Sequence, residues 1–473
     1  MPGKFIMLVG RIILLCTAVL FTLPVLRAAD LAVSNHQSGS SVRYPVVLLR
    51  GTLPADSRQL QIRNHQAPAQ AADVAPVVHE GRFKALVELT AGNNTIELHC
   101  LGHDSRLMLD LHYLPQTNPC YVRLIWMTDN SGDTTFAAPS DDVPQDYQAR
   151  LRTAAQLMQT FTAERLHDLG FGRKTFRLER DDRGQIVVHT LNAPEDKEFY
   201  YQLGDSNRWW QNVYSWINRE HPDPFAKNIV LAAYTRKDPE TGQMKGHTAL
   251  GGGNLGLFGS ASVFSWPRDL STTSEVFHDR TRVDPTSVHD DSAGRGTYWG
   301  VASTTIGATL HEMGHTFGLP HCRDGMGIMT RGFDHFNRVF TFYDPPGGRN
   351  RTAVYFTPEQ EAYFATISAS FLQWSPWFRL DNVDDTDSTP ARITFHKDKG
   401  TVEFSAESGV PWIGFWVGGD VHAHREFDAE AVQTTVTMSL DEIRNRLDGK
   451  PLSRVSTIAR NGQSTTLTID QQP

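Results

Sequence analysis

Residues 311–321 read His-Glu-Met-Gly-His-Thr-Phe-Gly-Leu-Pro-His, and no other run in the chain restricts the fold so strongly. An α-helix repeats every ~3.6 residues, so His311 and His315 stand one turn apart on one face. Gly318 permits the turn that brings His321 back toward that face. Three imidazoles so placed can reach one ion at about 2.0–2.1 Å, leaving a fourth position for water, as in a catalytic zinc site. One zinc per chain is expected, held by His311, His315 and His321. Glu312 projects beside them as the expected general base toward zinc-bound water. A lone His-Glu-x-x-His is a frequent chance match; Gly318 and His321 at fixed offsets remove most of that risk.

HEMGHTFGLPH resembles the metzincin pattern HExxHxxGxxH, and Gly327-Ile328-Met329-Thr330 is similar to the Met-turn that follows it. The resemblance implies that Met329 forms an apolar floor under the metal, with Met326 as the alternative occupant. LFGSASVFSWP, GATLHEMGHTFGLPHC and GIMTRGFDHFNRVF resemble a family of candidate zinc peptidases of fungi and bacteria, over about Tyr121 to Leu380. The fold so implied is an α+β, metzincin-like catalytic domain with a mixed sheet, a zinc helix and a Met-turn. The activity implied is that of a zinc metalloendopeptidase. His321-Cys322 is also similar to archaemetzincins, which place a second cysteine nearby for a second zinc; no such cysteine follows here. Some metzincins carry a tyrosine where this chain has Arg331, which could stabilise an oxyanion or simply pack at the surface. Tyr343 and Tyr355 have no positional support. His278 and His289 fall in a polar stretch and are expected to be solvated.

Gly251 to Pro267 interleaves small residues with Leu255, Leu257, Phe258, Val263 and Phe264. Glycine within a strand pattern marks a bulge or a close backbone approach. The segment is expected to be an edge strand, with Leu255, Leu257, Phe258 and Gly259 taking a peptide substrate by strand addition. No Lys-Ser/Thr follows, which argues against a phosphate-binding loop.

The rest of the chain sets the context. Lys4 and Arg11, the apolar run Ile12 to Leu26, and Ala28-Ala29 form the pattern of a secretory signal over residues 1–29. Pro24 interrupts the run, which is short for a membrane span. A secreted or periplasmic product without a stable span is expected; an uncleaved anchor is the alternative. Of the four cysteines, Cys16 lies in that run. Cys100 and Cys120 could pair, or the three remaining thiols could all be free and buried. Cys100 lies in strand texture, which argues against a latency switch. The formal charge of −8 comes with no basic stripe, which argues against nucleic acid as a partner.

Residues 30–116 alternate apolar and polar positions with turn signals between, as a small β-sandwich should. GRFKALVELTAGNNTIEL resembles Ig-like accessory modules of secreted bacterial enzymes. Residues 117–380 alternate strands and helices, including helices from Tyr147 to Gly170, around Trp209 to Ile217, and from Pro358 to Phe371. Residues 381–389 are polar and acidic, the expected linker. Residues 390–473 return to β texture. The whole is expected to be a monomer acting on a protein or peptide substrate, with a cell-surface or glycan target as a further role for the β parts. A competing reading is a binding protein that keeps the metal while its β parts, with Trp412 and Trp416, recognise a glycan or surface protein. Zinc hydrolysis of another amide remains a third.

Overall fold

The computed structural model describes residues 30–469, apart from 55–56, 58, 68–73, 103–104, 239, 349 and 383–387. The signal-like segment 1–29 and most of the expected linker lie outside the described residues. The chain is a mixed α/β protein with several sheets. No helix among the described residues is long and apolar enough to cross a membrane.

The central sheet has five strands in the order Val188–Asn192, Tyr121–Thr128, Ala226–Ala232, Leu255–Gly259, Ala249–Gly252. The first four run parallel, and the last pairs antiparallel at the edge. Parallel strands covered on both faces read as continuous apolar runs, which is why Tyr121–Thr128 and Ala226–Ala232 show no alternation. One face packs Ile125, Val230, Leu255 and Leu257 against Trp209, Val213 and Ile217 of the helix Ser206–Glu220. The other packs Leu124, Trp126, Ile229, Leu231 and Phe258 against the helices Tyr147–Asp168 and Tyr298–Thr316.

Before this layer, two four-stranded sheets share one core built from Val47, Leu49, Phe83, Val87, Ile96, Leu98, Leu109 and Leu111. The strand Val46–Thr52 is buried on both sides, because Leu48 faces the other way into the central core. The Thr160 hydroxyl of the long helix donates to Val46 O at 2.7 Å. After the central layer, a three-stranded and a four-stranded sheet enclose Val402, Phe404, Ile413, Phe415, Val436, Met438 and Val455. The helix Leu440–Arg446 between them starts at a capping box of Ser439 and Glu442.

Three expectations change. Leu255–Gly259 is an interior strand, not the edge: it lies between Ala226–Ala232 and Ala249–Gly252, with both faces covered. Its glycines reflect crowding by buried neighbours, Ile229 at Gly256 and Thr235 and His247 at Gly259, and the close approach of the helix falls at Gly251 in the next strand. The helix expected from Pro358 to Phe371 is two pieces, a 3-10 turn at Pro358–Gln360 and an α-helix at Thr366–Leu372. The capping box at Thr357 forms, but Glu361 is extended and its buried carboxylate pairs with Lys84 and Arg165 instead of continuing the helix. Cys100, Cys120 and Cys322 are all free and buried, the second of the two alternatives for the thiols.

Candidate metal centre

The helix Tyr298–Thr316 crosses the central layer with Val301, Ile306, Leu310 and Met313 in the core. It ends where Leu319 N–H donates to Gly314 O and Gly318 adopts a φ of +91°, a conformation glycine enters without strain. That turn carries the chain round to His321. The Nε2 atoms of His315 and His311 lie 3.1 Å apart, and those of His315 and His321 3.2 Å apart. His311 Nδ1–H donates to Ile328 O at 2.8 Å, and His315 Nδ1–H donates to Leu319 O at 2.7 Å.

Those two carbonyls decide the chemistry. With Nδ1 carrying the proton, each Nε2 presents a lone pair, and lone pairs about 3 Å apart repel unless a cation lies between them. Ligands at 2.0–2.1 Å in tetrahedral array stand about 3.3 Å apart, close to the spacing found. Burial, with the neighbouring His315 adding to it, pushes His311 down to about 3, and burial also lowers His315, so both rings stay neutral. The donor set therefore fits zinc.

Met329 is buried under the site helix, where a Cβ on Gly314 would meet its Sδ at 2.4 Å. Met326 is only half-buried. The turn around Met329 is fixed by Ile328 N–H to Tyr363 O at 2.7 Å and by the Thr330 hydroxyl to Cys322 O at 2.6 Å. Phe333 sets its ring edge-on to His311, with centroids 5.2 Å apart. Arg331 lies over Phe333 and pairs with Asp334 through two hydrogen bonds of 3.0 and 3.1 Å.

Glu312 faces the edge strand. A Cβ on Gly251 would fall 2.0 Å from Glu312 O, so strand and helix touch backbone to backbone there. Burial pushes the Glu312 carboxyl up to about 7, with the Gly251 N–H pulling it back. A carboxyl in that range can both take and release a proton near neutrality.

Of the residues expected to take substrate, Leu255, Leu257, Phe258 and Gly259 are buried in the interior strand and cannot add a peptide. The edge strand on the side of the sheet next to Glu312 is Ala249–Gly252. His278 is not solvated: its Nδ1–H donates to Ser274 O, and its ring packs on Tyr343. His289 is half-buried against His247. Tyr355 is exposed and stacks on His79, among N-terminal strands. Trp412 is buried, with its Nε1–H donating to the Ser370 hydroxyl, and Trp416 donates to Ser456.

One support of the site comes from far along the chain. Val421 N–H, in the strand Asp420–Glu426, donates to His321 O at 3.2 Å, and Asp420 pairs with Arg323. No local pattern in the sequence announces that contact. A cavity of about 580 Å³ opens beside His315, lined by Lys227, Gly253, Phe371 and Trp377.

A mixed α/β layer, a His-Glu-x-x-His helix and three converging imidazoles define a centre of the zinc peptidase class. The model of the "Putative peptidase family" matches residues 30–411, and the chain belongs to that family. It is 28% identical to a "Putative zinc metalloproteinase" of Schizosaccharomyces pombe, over 81% of this chain and 66% of the relative. It is 24% identical to one of Saccharomyces cerevisiae, over 90% of this chain and 68% of the relative. The chain thus spans about two thirds of the length of these relatives. Among solved structures, a catalytically inactive OgpA from Akkermansia muciniphila, in complex with an O-glycopeptide, is 15% identical with a TM-score of 0.46, over 75% of this chain and 93% of that one. Archaemetzincin from Methanopyrus kandleri is 14% identical with a TM-score of 0.26, over 55% and 97%. At these TM-scores neither likeness bears on what the chain does.

Proposed function

We propose that this chain is an exported, zinc-dependent endopeptidase whose working parts are Glu312 and the edge strand Ala249–Gly252. The observation that carries the proposal is the convergence of three Nε2 lone pairs, two of them fixed by Nδ1–H bonds to Ile328 O and Leu319 O. A zinc ion held by His311, His315 and His321 would supply a Lewis acid that polarises the scissile carbonyl and acidifies water. The chain's own residues do the rest. A peptide adds to the open rim of Ala249–Gly252 through main-chain hydrogen bonds, which lays it along Glu312. The Glu312 carboxylate accepts a proton from the attacking water and passes it to the amide nitrogen that leaves.

In the same reading the centre is metzincin-like, holds one zinc, and has Met329 as its apolar floor. Residues 1–29 direct export, and the sheets of 30–116 and 390–473 are accessory parts around a catalytic segment of 117–380.

The test is a peptide library incubated with the full chain, with and without a chelator. Cleavage should require metal, and Glu312→Gln should keep its zinc while losing about 10²–10⁴-fold in rate, the usual weight of a general base. Undiminished cleavage by that variant would overturn the assignment of the base; no metal-dependent cleavage by the parent chain would overturn the activity.

A further inference from the structure

His247, His289 and Asp291 form a second cluster, outside the centre described above. Each offers one ligand atom, and these atoms lie within 4.8 Å of one another. A single point therefore lies within about 2.8 Å of all three, so a contraction of about 0.6 Å brings each donor to the ~2.0–2.2 Å of a first-row metal. The elements that bring them together are distant in sequence. His247 precedes the edge strand Ala249–Gly252, whereas His289 and Asp291 belong to the loop leading into the site helix.

No described residue occupies these donors. None of the three side chains makes a hydrogen bond or ion pair with any described residue, and His247 Nδ1 is buried without a partner. The rings of His247 and His289 sit 4.9 Å apart, and the His247 ring meets that of Phe258 edge-on. A buried imidazole nitrogen is seldom left without a partner, and here the Asp291 carboxylate lies within 4.8 Å of the ligand atoms of both histidines. Burial lowers His247, so its ring is neutral, the form that ligates.

We propose that His247, His289 and Asp291 bind a second divalent transition-metal ion, which ties the start of the edge strand to the loop before the site helix. Two imidazoles and one carboxylate suit first-row ions such as zinc or cobalt, with water completing the shell. The ion would act as a brace. The edge strand reaches Glu312 at Gly251, four residues beyond His247, or about 13 Å at ~3.3 Å per residue. Fixing His247 therefore fixes the rim along which a substrate would lie, without touching the reacting atoms. The inference does not depend on peptidase activity.

The test counts metal. Metal-stripped full chain is loaded with Co(II) and then with Zn(II), and bound metal is measured after dialysis, with the Co(II) visible spectrum recorded alongside. Two equivalents are expected for the parent chain. One equivalent is expected for Asp291→Asn and for His289→Ala, both at half-buried positions. His315→Ala, which removes a ligand of the first centre, should still take up Co(II), and that uptake should disappear when Asp291→Asn is added. A single equivalent in the parent chain, or two equivalents undiminished by both variants, would overturn the site. Circular dichroism of each variant guards against reading a misfolded chain as a lost ligand.

Discussion

Gly251→Ala isolates the contact between the edge strand and the site helix. Its Cβ would fall 2.0 Å from Glu312 O, 2.7 Å from Glu312 C and 2.9 Å from its Cα. Ordinary van der Waals contact starts near 3.4 Å, so strand and helix must part by about 1.4 Å. All three atoms are backbone, and no rotamer change relieves them. Overpacking of this kind costs about 1–3 kcal/mol. A misplacement of about 1 Å at a reacting group costs on the order of 10²-fold in rate. Gly251→Ala should therefore bind zinc, melt a few degrees lower, and lose about 10²-fold in kcat/KM on any peptide the parent chain cleaves. The neighbouring Gly252→Ala is the control. There the added Cβ meets only the Trp210 ring at 3.7 Å, and neither property should change by more than a fewfold. Equal kcat/KM for the two variants would refute the reasoning.

Other perturbations have outcomes of definite sign. Burial works to raise the Glu164 carboxyl, but His36 and Arg173 outweigh it and hold the group well below the usual carboxylate range. Its contribution is thus complete above the unfolded value near 4.3 and declines as pH falls toward the folded one. Glu164→Gln should flatten that acid limb in pH-dependent denaturation and cost about 3–5 kcal/mol at neutrality by stranding Arg173. Met329→Ala should cost about 2–5 kcal/mol in urea unfolding, since Met329 is 1% exposed, while leaving the three histidines able to load metal. Stripping the metal should lower the melting temperature, because zinc at 1,000 times its Kd stabilises by about 4 kcal/mol; a melting curve unmoved by chelator and by added zinc would count against a folded-state metal centre.

What the sequence disclosed about the site depended on how local the determinant is. His311, His315, Gly318 and His321 are placed by one helix and one turn, so their convergence follows from the helical repeat. Met329 lies beyond that helix, so no helical repeat places it, and its position under Gly314 is legible only through the resemblance of Gly327-Ile328-Met329-Thr330 to a Met-turn. Leu255 to Gly259 misled because glycine marks a close approach without saying what approaches. The neighbours at Gly256 and Gly259 are Ile229, Thr235 and His247, brought in by another strand and loop, and the site helix makes its close approach at Gly251 instead. The helix expected over Pro358 to Phe371 carries valid start signals, but Glu361 gives up helical backbone to reach Lys84 and Arg165. His247 drew no notice because its neighbours His289 and Asp291 come from another loop, and no periodicity links them.

Val421 N–H bonded to His321 O has a consequence at the level of coupled equilibria. The family match ends at residue 411, so the strand that makes this bond lies beyond it. Whatever docking of the C-terminal sheet contributes to holding His321, metal binding returns in equal measure to that docking, since linkage is reciprocal. Loading the metal and seating the last sheet are then coupled equilibria, each favouring the other. A chain whose C-terminal sheet is unfolded would hold its metal more weakly, and a chain stripped of metal would release its C-terminal sheet more readily.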